Sequence, residues 1–160
     1  MKQSIILLFL ITTFWATAQD KNWKHISRND IALASVQFVG GFADGTNQAI
    51  IYHRLGRFSP FWDYKYSWKR KYKDFDNGDK REAFALSSSV LVGFTDGNHL
   101  TRMIDRNCQL ASIVIGFTEL RDYPKKDRWK VISKKLLLSV IANRLAFYAS
   151  YDGLFKFSNN

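Results

Sequence analysis

An all-α fold is what the sequence predicts: a bundle of three to four long helices with an irregular aromatic and basic connector. Three observations lead there. Apolar stretches cover about 30–53, 85–120 and 129–155; each is too long for a strand and lacks the strict alternation of a half-buried sheet. "SRND" at 27–30 offers Ser27 or Asn29 as an N-cap, with Asp30 suited to a first helical turn. Pro124 stands between the second and third stretches, where a helix must break.

The chain opens with a segment outside the fold. Lys2 gives a positive start, residues 5–16 are apolar apart from Thr12 and Thr13, and "ATA" at 16–18 supplies small residues for a signal peptidase. The run is short for a membrane span, which needs about 20 residues. Residues 1–18 therefore read as a cleaved signal peptide, with an uncleaved N-terminal anchor as the alternative. Residues 19–160 read as a single helical domain, long enough to bury a core without disulfides. Cys108 is the only cysteine, which excludes an internal disulfide or a cysteine-built zinc site; a buried thiol is expected there.

The first apolar stretch contains "GFADG" (41–45), and the second contains its near copy "GFTDG" (93–97). On a helix, Gly41/Gly45 and Gly93/Gly97 would form two small-residue faces on which backbones approach closely. Asp-Gly is also a turn signal, and two glycines cost a helix interior about 1 kcal/mol each. The apolar pattern continuing on both sides of 41–45 favours the helix, and the same reading is extended to 93–97. The second stretch reads either as one helix or as two broken near Asn107, which leaves the count at three to four. The third is apolar in nearly every direction, so it should be largely surrounded. Along it Ser139, Ala142, Ala146, Ala149 and Ser150 form a stripe for close packing. A looser echo, "ASYDG", closes that helix.

Charge narrows the partners. With 24 Lys and Arg against 14 Asp and Glu, the formal charge is +10, a surplus that attracts polyanions. The export signal disfavours nucleic acid and points to phospholipid or lipopolysaccharide headgroups. "FSPFWDYKYSWKRKYKDF" at 58–75 interleaves aromatics with cations, a composition suited to headgroup level. Its candidate binding residues are Lys65, Trp68, Lys69, Arg70, Lys71 and Tyr72. The plainer alternative is that Trp62, Trp68 and Tyr72 form a lid over the bundle. "YPKKDRWK" at 123–130 repeats the pattern more briefly. Membrane crossing is argued against by Asp44, Asp96 and Arg144 near the middle of the three stretches, and by two successive connectors that are both strongly basic.

"TDGNH" sets Asp96 and His99 three residues apart, on one side of a helix. If the two glycine faces met, Asp44 would join them. Asp44, Asp96 and His99 are thus candidate catalytic residues for general acid and base work. His53, Asp96 and His99 are candidate ligands for a divalent metal such as Zn, Mn or Fe, under that reading only. The simpler reading pairs Asp96 with Arg102 or Arg106 and leaves His99 a satisfied interhelical histidine. Buried acids need partners, and Arg144 is the expected one, giving a register-fixing cluster of Asp44, Asp96, His99 and Arg144. No GxGxxG, Walker-type loop, GxSxG, HExxH or paired CxxC occurs, so nucleotide-dependent and serine-hydrolase functions find no support.

The combination of "FWDYKYSWKRKYK", "FTDGNHL" and a late "YDG" resembles a family of small bacterial proteins of unassigned function, exported or membrane-associated. The resemblance covers roughly 36–155. It implies no activity; Asp96 and His99 fall within the shared pattern. The expected function is that of an exported protein of the periplasm or cell envelope, free or membrane-associated: a binding or structural component contacting an anionic surface. The alternative is a small hydrolase, metal-assisted or not, built on the Asp/His cluster.

Overall fold

In a computed structural model the protein is described over residues 24–65 and 91–156. Among these residues every regular element is helical. Three long helices are described, α1 (Arg28–Tyr52), α2 (Gly97–Thr118) and α3 (Arg128–Tyr148); short 3-10 turns lead from α2 into α3, others follow α1 and precede α2, and a π-turn over Ala149–Leu154 continues α3.

Local chemistry explains how α1 begins and ends. Ser27 caps it: the Asp30 amide donates to Ser27 Oγ at 3.1 Å, and the Ser27 amide donates to Asp30 Oδ2 at 2.9 Å. This reciprocal box satisfies two donors that a helix start leaves open. The helix passes through 41–45 without interruption. It stops at His53, whose amide donates to the Ala49 carbonyl at 2.8 Å. Arg54 then adopts φ 53°, the left-handed turn that glycine more often supplies after a helix.

Most helix packing runs through α1, which both other helices contact in preference to each other. α1 and α3 are parallel: Asp30 meets Lys135, Gln37 meets Asn143 and Gly45 faces Phe147. A Cβ on Gly41 would lie 2.8 Å from the Asn143 Cα and carbonyl carbon, and nearer still to its oxygen. One on Gly45 would run into Phe147 O and Ser150 Oγ. The 41/45 pair is therefore a face where two backbones touch. α2 runs antiparallel to α1, with Asn47 reaching Asn98 and Thr101, Gly40 facing Cys108, and Ser27 reaching Glu119. Two small apolar clusters sit at opposite ends of α1. Ala32, Leu33 and Ile115 form one; Ala49, Ile50 and Leu55 form the other, covered by Trp62, Tyr151 and Phe155.

The structure corrects the sequence reading at three points and decides between the alternatives at a fourth, Asn107. The second pentapeptide is not mid-helix: Asp96 is the N-cap of α2 and Gly97 its first residue. Two things favour that start. The Asp96 carboxylate accepts the His99 amide at 2.9 Å, and Gly97 leaves room for the Trp62 ring, which a Cβ there would strike. α2 also runs through Asn107 unbroken, with the Asn107 side-chain amide donating to the Met103 carbonyl at 2.9 Å. The packing stripe of α3 is shifted. Ala146 and Ser150 are buried as predicted, but Ala149 is exposed and Asn143 and Phe147 meet the glycines instead. Finally, α3 is not surrounded. It packs on α1 along one side and leaves Trp129, Leu136, Leu137, Val140, Leu145 and Tyr148 more than half exposed.

Candidate functional site

Of the predicted polar cluster, the structure joins Asp96 with His99 and sets Asp44 near Arg144. Asp96 is almost wholly buried, at 1% exposure, yet well partnered. It accepts the Thr95 hydroxyl at 3.0 Å and the His99 amide, and its Oδ2 lies 2.7 Å from His99 Nδ1. The capping carboxylate thus also orients an imidazole. Arg102 and Arg106, the cations proposed as its partners, are exposed on α2.

Asp44 has different neighbours. Burial, followed by repulsion from Asp105, pushes its carboxyl above the ordinary value; a hydrogen bond from Gln48 and the charge of Arg144 oppose this in part. Cys108 is half-buried in the same α1–α2 seam, and burial followed by Asp105 pushes its thiol upward. His53 is buried at the end of α1, with its ring centroid 4.6 Å from that of Tyr151. Among the described residues no three His, Cys, Asp or Glu side chains are gathered closely enough to hold a metal ion. The suggested set of His53, Asp96 and His99 therefore does not converge on one point.

An ionic cluster that sequence reasoning missed ties the three helices together at the α1 N-terminus. Asp30 is fully buried. Lys134 Nζ lies 2.5 Å and Lys135 Nζ 3.2 Å from its carboxylate oxygens, and Lys135 Nζ also lies 2.6 Å from Glu119 Oε2. Ser27 Oγ donates to the same Glu119 oxygen at 3.2 Å. Burial alone would raise the Asp30 carboxyl, but Lys134, the Ser27 amide and Lys135 together hold it below its ordinary value of 3.8. The signal was present in the sequence: Lys135 lies four residues before Ser139, so the small-residue stripe extended back one turn reaches it.

The most extensive unusual surface is apolar. Leu110, Ile113, Val114 and Phe117 follow a helical i, i+3, i+4, i+7 spacing on α2, each more than half exposed. Together with Trp129, Leu136, Leu137, Val140, Leu145 and Tyr148 of α3 they expose far more apolar surface than the singly scattered side chains usual on a monomer. Helices apolar on every side are normally covered on every side. Between α2 and α3, over α1, runs an open-sided groove of about 260 Å³ walled by Leu33, Ile113, Phe117, Leu120, Ile132 and Leu136. Arg121, Lys125 and Lys126 are exposed in the connector at its lower end, with Trp129 61% exposed and the Lys130 ammonium 5.9 Å from its ring centroid. Asp122 is the one exposed acid of this connector; Asp127 is engaged by Lys130 at 2.9 Å.

Of the predicted binding residues, Lys65 is exposed, and its amide donates to Asp63 Oδ1 at 3.0 Å. Trp68, Lys69, Arg70, Lys71 and Tyr72 lie outside the described residues. None of the helices described is long and apolar enough to cross a membrane. Compared with family models, characterised proteins and solved structures, the chain shows no significant match.

Proposed function

We propose that this protein is an exported, envelope-associated binding or structural component that docks on an anionic surface. One observation carries the reading. The apolar outer sides of α2 and α3 are bordered by a basic, aromatic connector containing Arg121, Lys125, Lys126 and Trp129. Apolar side chains beside cations and an exposed Trp match the layering of a bilayer interface. The connector at 58–75 adds cations of the same kind. Each Lys or Arg held near an anionic leaflet contributes about 1 kcal/mol, screened by salt. The test is co-sedimentation of the chain from Gln19 onward with phosphatidylcholine vesicles, with and without phosphatidylglycerol. Pelleting that needs the anionic lipid and weakens as salt rises is the expected result. Pelleting indifferent to lipid charge, or none, would refute the reading.

A second reading, a small hydrolase, is favoured by the Asp96–His99 contact at 2.7 Å. A carboxylate on one ring nitrogen fixes the tautomer of a general base. That reading requires a hydrolytic activity lost in Asp96→Asn, a substitution that keeps an N-cap.

A further inference from the structure

The groove between α2 and α3 lies within the apolar surface that carries the docking reading, since Ile113, Phe117 and Leu136 belong to both. We infer that it is a binding site for one acyl chain of an anionic glycerophospholipid, with the lipid phosphate held by the connector at its lower end. The inference rests on the surface-docking reading above and names the molecule recognised there.

The shape of the groove follows from the helix arrangement. α2 and α3 each pack on α1 and scarcely touch one another, so Leu33 and Gln37 of α1 floor a channel whose walls come from the two outer helices. The walls are mainly apolar. Lys135 also lines the groove, but its ammonium is committed to Asp30 and Glu119, which leaves its methylenes as the part available to a ligand. Of the other polar residues in the lining, Gln37 accepts from Asn143, Gln109 donates to Asp105 and Ser112 donates to the Cys108 carbonyl, while Ser139 lies in the α3 wall; the groove therefore suits an occupant that is apolar along most of its length. Gly116 widens one wall: a Cβ built there meets nothing within 4 Å, so the channel at this point is limited by the missing side chain and not by a neighbour.

Charge selects the occupant among apolar candidates. Leu120 in the wall directly precedes Arg121, and Ile132 in the opposite wall follows the connector carrying Lys125 and Lys126. These three cations are exposed, and within the 119–127 connector Asp122 is the only exposed acid. A neutral apolar segment of another protein would leave this cationic rim unmatched, as would a second copy presenting the same basic rim by symmetry. A chain ending in a phosphate satisfies both parts.

The probe is lysophosphatidylglycerol, with lysophosphatidylcholine as the neutral-headgroup control, added to delipidated full-length mature protein and followed by native mass spectrometry. A single lipid per chain is expected. Gly116→Leu should weaken uptake of both lipids about tenfold, as filling the space of two or three methylenes implies, while its thermal midpoint is not lowered. The double variant Lys125→Glu/Lys126→Glu should lose the preference for the anionic lipid, a factor of about ten or more, and keep uptake of the neutral one. Failure of the folded wild type to take up either lipid overturns the inference, as does undiminished uptake by Gly116→Leu. So does a dimer, detected by light scattering, whose formation excludes lipid. The vesicle experiment separates the two ideas. Anionic pelleting without lipid uptake leaves the docking reading standing and removes the groove. Uptake without pelleting removes the docking reading and establishes the groove.

Discussion

Two glycine-to-alanine substitutions, chemically identical, should move stability in opposite directions. At Gly116 a methyl group enters open space, so Gly116→Ala should stabilise by about 1 kcal/mol, the helix-propensity difference. Gly41→Ala receives the same propensity gain and the same loss of unfolded-state freedom. Its new Cβ, however, would lie 2.8 Å from two backbone atoms of Asn143, and backbone atoms cannot rotate aside. Relief requires α1 and α3 to separate by roughly 1 Å, a gap that forfeits a quarter to a half of each dispersion contact across the seam. The Gln37–Asn143 hydrogen bond, already 3.3 Å long, would lengthen with it. Overpacking of this kind costs about 1–3 kcal/mol, and lost seam contacts add to it, so a net loss of about 2–4 kcal/mol is expected. For a domain of this size that is a fall in Tm of about 10 °C, against a rise of about 4 °C for Gly116→Ala. Urea titrations followed by circular dichroism at the helix band would measure both. If Gly41→Ala proves as stable as wild type, the close α1–α3 contact, and the reading of 41–45 as a packing face, is wrong.

The remaining predictions concern buried charge. Lys135→Met keeps the methylenes but leaves Asp30 and Glu119 short of a cation. Breaking a buried pair costs about 3–5 kcal/mol, and the lower end is expected because Lys134 still reaches Asp30. Asp30 is held below 3.8 in the fold; its contribution is present above that value and disappears as pH falls through the depressed pKa. Acid unfolding monitored by tryptophan fluorescence should therefore begin at higher pH in Lys135→Met than in wild type; an unchanged acid limb would contradict the cluster. Asp44 has the opposite sign. Its raised carboxyl makes the ionised form the costly one, so wild type gains stability as pH falls through that raised pKa. Asp44→Asn should stabilise at neutral pH by on the order of 0.5 kcal/mol, with the difference from wild type vanishing below 3.8, the ordinary value. Thermal melts across pH would show this, and a destabilised Asp44→Asn at neutral pH would refute it.

Helix identity, the Ser27–Asp30 start of α1, the break around Pro124 and the glycine face at 41–45 were all legible in the sequence. Each is a local matter of apolar spacing, capping chemistry and the absence of a side chain. The two glycine–acid pentapeptides show where local reasoning ends. Both present the same Gly-Phe-x-Asp-Gly pattern, but at 41–45 Asn143 and Phe147 press on the glycines, whereas at 93–97 the Asp96 carboxylate caps a helix and the Trp62 ring occupies the glycine's space. Neighbours from distant segments chose between helix and turn, and those are not encoded within five residues.

The same division holds for the candidate sites. Sequence spacing offered the Asp96–His99 pair, but as neighbours on a helix face; the contact comes instead from Asp96 capping the start of α2 and reaching the His99 amide and ring. Spacing was not enough to decide where Asp44 would stand, since that depends on the register of α1 against α2 and α3. Lys135 and Glu119 could be recognised as a buried partnership with Asp30 only once three helix ends were brought together. By itself, the sequence determined a strongly basic chain with long helical apolar stretches, because those properties are sums over residues or over local spacing. Which apolar surface is buried and which is left facing outward along α2 and α3 was decided by the tertiary structure alone, because α1 has only enough circumference to cover one side of each.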